Sequence, residues 1–431
     1  MGERMRQHVT IRLPWVRSLG WDACWMLSGF WLILLVAALE AIPDGLHLIL
    51  ITATVLLWFA HRIATTYTAF CLSAYRQILR EQGERFFVWP AVATLLVCGF
   101  VFAPEQPGAL DFRTKLLVLG TVFFFGQHVH GGMQHYGVVS IYRMRAGQSH
   151  SAPFKRYEQA FCLMVGALMV AIGQIYHGAA VVRGSFISPM LRRILPLDVF
   201  AGWGVLVQLI GPLLVVILTI PLLIAECRDQ RPSMPKALYA GSVSLQAILA
   251  YVMSPLGFLI LWSVQHWMVS VALAGHMAGQ HTGGPRALSG WYTFWARFNQ
   301  GFWPTLLVLC LASVLATPFL QYPFDRAYLL GWRSALSPLP QHSGVVRFVV
   351  AVSYSSLVVH FLMDRAVFRF SDSRIRQVTS ALIFGDARSL QRRMEEAVAD
   401  RHESALRLDT AVENELNRLR REPVLNPMPP R

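Results

Sequence analysis

Long apolar blocks separated by short polar stretches set the rhythm of this chain. A helix needs roughly 20 apolar residues to cross the hydrocarbon of a bilayer, and about ten blocks meet that need. They cover residues 21–42, 46 onward, 87–103, 115–141, 160–180, 200–225, 237–253, 256–277, 302–320 and 345–367. The second is expected to run on as a helix past the membrane to residue 80. The pattern predicts an all-α, polytopic transmembrane helix bundle over residues 21–370, preceded by a basic N-terminal segment, residues 1–20. Residues 371–420 are dense in charge, with Leu, Met and Ala at helical spacing. They predict a cytoplasmic C-terminal helix. Residues 421–431, with four prolines, are expected to be disordered.

Polar stretches between the blocks orient the bundle. Basic residues gather at the N-terminus, at 76–85, 143–156, 228–236 and 286–297, and in the C-terminal tail. Acidic positions near Asp44, at 105–111 and at Asp325 fall on the other side. Lys and Arg mark cytoplasmic loops, so both termini are expected in the cytoplasm and the protein in a bacterial inner membrane. Arg183, Arg192 and Arg193 run against this alternation, and residues 189–197 are expected to form an interfacial helix there.

Composition agrees. Of 431 residues, 55% are hydrophobic and 14% charged, with mean hydropathy +0.45; soluble chains carry about 25% charged residues. The net charge of +14 sits in loops and tails. No basic face on a soluble domain is present, which argues against nucleic-acid binding. Cys24, Cys71, Cys98, Cys162, Cys227 and Cys310 form no CxxC pair and read as small buried hydrophobes. Arg4, Arg6, Arg12 and Arg17 precede the first block without a small-x-small cleavage pattern, so an uncleaved first span is expected. There is no phosphate-binding glycine loop and no defensible internal repeat.

The candidate chemistry is histidine. Residues 126–137 read Gly-Gln-His-Val-His-Gly-Gly-Met-Gln-His-Tyr-Gly, inside an otherwise apolar block. Each imidazole there loses water and must find a donor, an acceptor or a metal. His128 and His135 share a helix face, while His130 points roughly away. Gly131 and Gly132 leave room for another helix or a ligand. Other blocks add His61, His266, His276 and His360. In the expected topology most of these lie in the cytoplasmic half of the bilayer, where histidines from four spans can form one cluster. Neutral imidazole suits iron, zinc and copper, and a carboxylate can complete an iron site. Asp364 shares a face with His360 and is a candidate ligand or orienter. His61, His128, His135, His266 and His360 are the expected ligands, with His130 and His276 as further candidates. Gln127, Gln134 and Gln265, each preceding a histidine, are candidate partners behind the ligands. His8 and His177 are expected to make helix contacts, and His150, His281, His342 and His402 to be solvated. Arg62, Arg143 and Arg365 are expected to snorkel to the interface.

The run His360-x-x-x-Asp364-x-x-x-Phe368-Arg369 resembles the last histidine motif of the membrane carotenoid-cleaving dioxygenases, the Brp/Blh family. His135-Tyr136-Gly137 resembles that family's His-Phe-Gly motif, and Gln265-His266-Trp267 stands where it has a third histidine pair. The family's early Pro-His-Gly-x-x-Asp is absent, with only His61-Arg62 in a comparable place. The resemblance implies a multi-span bundle whose histidines hold a non-haem iron that cleaves a carotenoid with oxygen. The HxxxH and HxxHH boxes of two-iron membrane desaturases are absent.

The expectation is therefore a membrane oxidoreductase holding one or two non-haem Fe ions. It takes a lipophilic substrate from the bilayer, O2 and an unidentified electron donor. Tyr136 is a candidate hydrogen-bond donor to oxygen. Three alternatives stay open: a b-type haem or quinone protein, a transporter with a histidine proton or cation pathway, and a lipid-modifying transferase using His and Asp as acid and base.

Overall fold

The computed structural model describes residues 14–105, 110–177, 192–280, 290–320 and 343–385. Among the described residues every regular element is helical. In chain order these are α1 (Leu19–Trp25), α2 (Ser28–Glu40), α3 (Gly45–Cys71), α4 (Arg76–Glu81), α5 (Glu84–Phe102), α6 (Phe112–Ala146) and α7 (Ala152–Tyr176). Then follow α8 (Leu197–Arg228), α9 (Met234–Leu249), α10 (Pro255–Gln280), α11 (Gly290–Ala296), α12 (Phe302–Leu320), α13 (Gly344–Val367) and α14 (Ser373–Phe384).

Seven of them, α3, α5, α6, α7, α8, α10 and α13, are long and apolar enough to cross a membrane. The pair α1–α2, bent by 50°, makes an eighth if it counts as one span. This is the architecture of a polytopic helical membrane protein. All ten predicted blocks coincide with helices, but two are short. Helix α9 has 16 residues, and the apolar stretch of α12 runs over Phe302–Thr317. The predicted extension of the second block to residue 80 is interrupted. Leu72 is extended (φ −97°, ψ 121°), and a 3₁₀ turn at Ser73–Tyr75 precedes α4. The N-terminal residues 1–13, residues 189–191 and the tail beyond residue 385 lie outside the described residues, and of the expected interfacial helix 192–194 are helical.

Helix α10 is the hub. Its sequence is apolar all round apart from hydroxyls, Gln265 and two histidines, so no face is suited to lipid or water. It is buried along nearly its whole length and packs against α1, α2, α3, α6, α12 and α14. Outer helices instead show aliphatic side chains, such as Leu34, Leu95, Leu209 and Leu315, each about 70% exposed (71%, 71%, 69% and 71%).

Helices α6 and α7 approach at backbone distance. A Cβ on Gly132 would lie 2.8 Å from the carbonyl oxygen of Cys162, and one on Gly166 would lie 2.6 Å from that of His128. Two small residues facing each other's backbone are how membrane helices gain close contact without a hydrophobic drive between them.

One end of this pair is tied to α8 and α9 by buried charge. Lys236 sits 3.0 Å from Glu158 and 2.7 Å from Glu226, and Arg143 also binds Glu158. His150 bridges Glu158 at 3.2 Å and Asp229 at 3.1 Å. His150, expected to be solvated, is thus buried in an ion network, and Arg143 turns inward to Glu158 where snorkelling was expected. A carboxylate as enclosed as Glu158 is tolerated because cations meet it from several elements.

Helix α14 lies along α10 with Ile375, Val378, Leu382 and Ile383 buried. It opens on Asp372, whose carboxylate accepts from the backbone N–H of Arg374 (3.1 Å) and Ile375 (3.2 Å). Arg85 (3.0 Å) and Gln82 (3.1 Å) reach the same carboxylate. Desolvation works against its charge, but these donors outweigh it and hold the Asp372 carboxyl below its ordinary value.

Two outcomes follow. Gly166→Leu forces α7 off α6, an over-packing cost of about 1–3 kcal/mol or more, read as a lower thermal midpoint in detergent. Gly99→Leu, at a position where an added Cβ meets nothing within 4 Å, leaves the midpoint where it was. For Asp372 the folded value is the lower one, so its contribution is full above the unfolded value of about 3.9 and fades as pH falls through the folded value. The difference in thermal midpoint between wild type and Asp372→Asn should be constant from pH 8 to about 5 and shrink below about 4.

Candidate metal centre

Four helices each bring a histidine to one place. His61 comes from α3, His130 from α6, His266 from α10 and His360 from α13, and Asp364 joins them one turn after His360. The ring centroids of His61 and His266 are 4.4 Å apart, those of His61 and His360 4.2 Å, and those of His130 and His360 4.8 Å. His130 and His266 stand 5.3 Å apart, and His61 and His130, the widest of these pairs, 6.2 Å. His130 Nε2 lies 3.2 Å from Asp364 Oδ2, and His360 Nδ1 lies 3.5 Å from Asp364 Oδ1. One ligand atom from each of His61, His130 and His266 falls within 4.8 Å of the others, as does one from each of His130, His360 and Asp364.

Local sequence explains the convergence. A five-residue π turn at Thr54–Trp58 resets the helical phase of α3 just before His61. On α6, His130 is two residues from His128, about 200° round the helix, so the two serve different neighbours. His130 faces α13 and α10, and His128 faces α7 and Trp262.

A second tier lies one turn along each helix. Thr65 follows His61, Gln134 follows His130, Ser270 follows His266 and Asp364 follows His360, each four residues on. Gln134 Nε2 donates to Asp364 Oδ2 at 2.9 Å and also to Ser270 Oγ. Thr65 abuts the same carboxylate. The polar tier therefore orients Asp364 through Gln134, which Ser270 holds in turn, as carboxylates near a metal are commonly oriented.

The histidine tier is unsatisfied. Both ring nitrogens of His61 and His266, and Nε2 of His360, are buried without a hydrogen-bond partner among the described residues, while Nε2 of His130 and Nδ1 of His360 face only the Asp364 carboxylate. Leaving a buried polar group unpaired costs on the order of 1–3 kcal/mol. Several such atoms together rival the whole net stability of a folded domain, about 5–15 kcal/mol. A metal ion removes that cost by taking one nitrogen from each ring. Bond lengths near 2.0–2.1 Å put the ring centroids of two imidazoles on one ion roughly 4.5–6.5 Å apart, close to the observed spread. These residues fit a transition-metal ion.

The remaining candidates stand elsewhere. His128 Nδ1 donates to the carbonyl of Phe124 at 2.7 Å, and its ring is stacked near Trp262. His135 Nδ1 pairs with the Tyr239 hydroxyl at 2.8 Å, and its ring lies 5.1 Å from Trp262. The two form a layer behind His266, with Trp262 between them one turn before that residue. His276 Nε2 donates to the Ile383 carbonyl at 2.8 Å and so pins α14 to α10. Tyr136 lies against Arg143, whose guanidinium carbon is 5.8 Å from its ring, and outside the cluster. His177 donates to the Ala250 carbonyl at 2.9 Å, a helix contact as expected. Among the second-tier residues Gln134 was expected as a partner, although for a histidine. Thr65 and Ser270 were missed, and the signal for them was the repeated four-residue spacing.

The chain matches no protein-family model, no curated protein and no solved structure.

His61→Ala, His130→Ala and His360→Ala should each strip bound metal from the purified protein. Gln134→Ala should weaken metal affinity about 10–100-fold, the usual effect of losing an orienting partner. His276→Ala should leave metal content at the wild-type level. Metal analysis before and after graded chelator dialysis reads all five proteins.

Proposed function

We propose that this protein is an integral-membrane, non-haem iron oxidoreductase, an oxygenase that acts on a lipophilic substrate with O2. The observation that carries the reading is the set of unpartnered imidazole nitrogens converging with one carboxylate inside an apolar bundle. Intramembrane ionisable groups mark function by default because their burial is costly. The donors fall into two three-donor groups that share His130, one of them carrying the carboxylate, and imidazole with carboxylate is the donor set that non-haem iron favours. Each group has three protein donors, one fewer than a closed structural zinc site, and so leaves open positions on the ion. His61, His130, His266, His360 and Asp364 would hold the ion, and bound iron would supply the oxygen-activating redox chemistry.

The chain's own residues do the rest. Gln134, itself bound to Ser270, holds Asp364 in one orientation. Trp262, His128 and His135 pack the side behind His266 and keep water out. A substrate dissolved in the bilayer reaches the site between helices without crossing water. The loop charges favour both termini, and the site's nearer rim, on the cytoplasmic side of an inner membrane. The likeness to the carotenoid-cleaving family supports the chemistry through His266, His360 and Asp364. Its third element, His135-Tyr136-Gly137, falls in the layer behind. A haem between two axial histidines is disfavoured, because the other two imidazoles of the cluster occupy the space its macrocycle needs.

Metal analysis and an absorption spectrum of the detergent-purified protein test this. The expected result is one iron per chain without a Soret band, lost in His61→Ala and His360→Ala. Stoichiometric zinc with no iron, a haem spectrum, or no metal after gentle purification would overturn it.

A further inference from the structure

Arg62 follows His61 directly and was expected to reach for the interface. It does the reverse. Helical side chains lean toward the N-terminus of their helix, and the guanidinium lies over Trp58, 3.8 Å from its ring, one turn back along α3. Its Nη1 donates to Ser356 Oγ at 3.3 Å, and Ser356 is one turn before His360 on α13. The side chain is 2% exposed. Among the described residues no carboxylate forms an ion pair with it, and Nε and Nη2 are buried without a hydrogen-bond partner.

These facts describe a charge that lacks its counterpart. A buried ion with no partner is strongly destabilising, and the usual remedy is an opposite charge in contact. Nη1 is occupied, and the free atoms are Nε and Nη2. They form the lateral edge of the guanidinium, the two parallel N–H groups that match a carboxylate in bidentate fashion. Trp58 covers one face of the plane, so a ligand must come edge-on. Asp364, the cluster's own carboxylate, is held by Gln134 and the two histidines and is not within ion-pair distance of Arg62.

We propose that Arg62 receives the carboxylate of the lipophilic substrate, which makes that substrate a long-chain acid. The substrate part of this inference rests on the iron oxidoreductase reading. The anion subsite itself rests only on Arg62, Trp58 and Ser356. Such a ligand brings its own negative charge to an apolar site and leaves its chain in the bilayer. It is anchored at its polar end by a residue adjacent to His61.

Equilibrium binding of radiolabelled palmitate to the full chain in dodecyl maltoside, with iron content measured on the same samples, tests the proposal. One palmitate per chain is expected, with methyl palmitate, which lacks the charge, at least tenfold weaker. Arg62→Gln should abolish that discrimination, and Arg62→Lys, which keeps the charge but loses the fork, should weaken palmitate about tenfold. As a check independent of ligand handling, Arg62→Gln should melt higher than wild type without ligand, and palmitate should raise the wild-type midpoint only. Equal palmitate binding by wild type and Arg62→Gln would overturn the proposal. So would acetate or phosphate binding as tightly as palmitate, which would mark a small-anion site. Arg62-dependent palmitate binding in a chain without iron would leave the subsite standing and remove the oxidoreductase reading. Iron at one per chain with no Arg62-dependent binding would do the opposite.

Discussion

A neutral imidazole in hydrocarbon has one donor and one acceptor to satisfy, and this bundle leaves both open on His61 and His266 and one open on His360 beside them. That deficit governs the interior. Some buried charges elsewhere are closely matched: Asp22 collects the N–H groups of Val16 and Arg17 and the Tyr142 hydroxyl, and Glu158 is ringed by cations. Single unpartnered atoms occur at other buried positions, Trp21 Nε1 and Trp295 Nε1 among them, but only at His61, His266 and His360 do several open imidazoles meet among the described residues. Unmet polarity in a dry place is a binding energy held in reserve for something that supplies the missing partner.

The surroundings are arranged to keep the site in shape without that partner. The polar tier, one turn along, links α3, α6, α10 and α13 through Asp364, Gln134, Ser270 and Thr65. Behind His266, Trp262 fills the hollow over Gly131, where an added Cβ would lie 3.3 Å from its ring. Helix α6 cannot slide, because its backbone touches that of α7 at Gly132 and Gly166. The donors are thus carried by rigid elements, the condition for a site whose geometry is ready before its ligand arrives.

Much of this was legible in the sequence and some was not. Apolar block length located every helix that carries a histidine of the cluster, because hydrocarbon thickness leaves little freedom in span length. About ten spans were expected, and among the described residues seven helices, or eight with the bent α1–α2 pair, are long and apolar enough, the apolar stretch of α12 being shorter. Histidines on several spans at one depth announced a cluster. Which of the three on α6 joins it was harder. His128 and His135 share the face that the glycines open, and that face went to α7 and Trp262. His130, across the helix, met α13 and α10. Helical phase gives relative directions within one helix, but only packing says which neighbour each direction finds. The pairing of each histidine with a polar residue four positions on was readable, as a repeat across four helices. For Arg62, interface snorkelling was the general expectation, and the Trp58 face one turn back overrode it.

The cluster is assembled from residues spread over most of the chain, from His61 on the third helix to Asp364 on the thirteenth. During synthesis the early helices enter the bilayer with two open histidines, and the third arrives with α10. Only when α13 is inserted do His360 and the carboxylate come into place, and with them the contacts that anchor Gln134. A half-made chain therefore presents scattered imidazoles and no enclosed donor set. Among the described spans α13 comes last in chain order, so the donor set closes only once that span is in place.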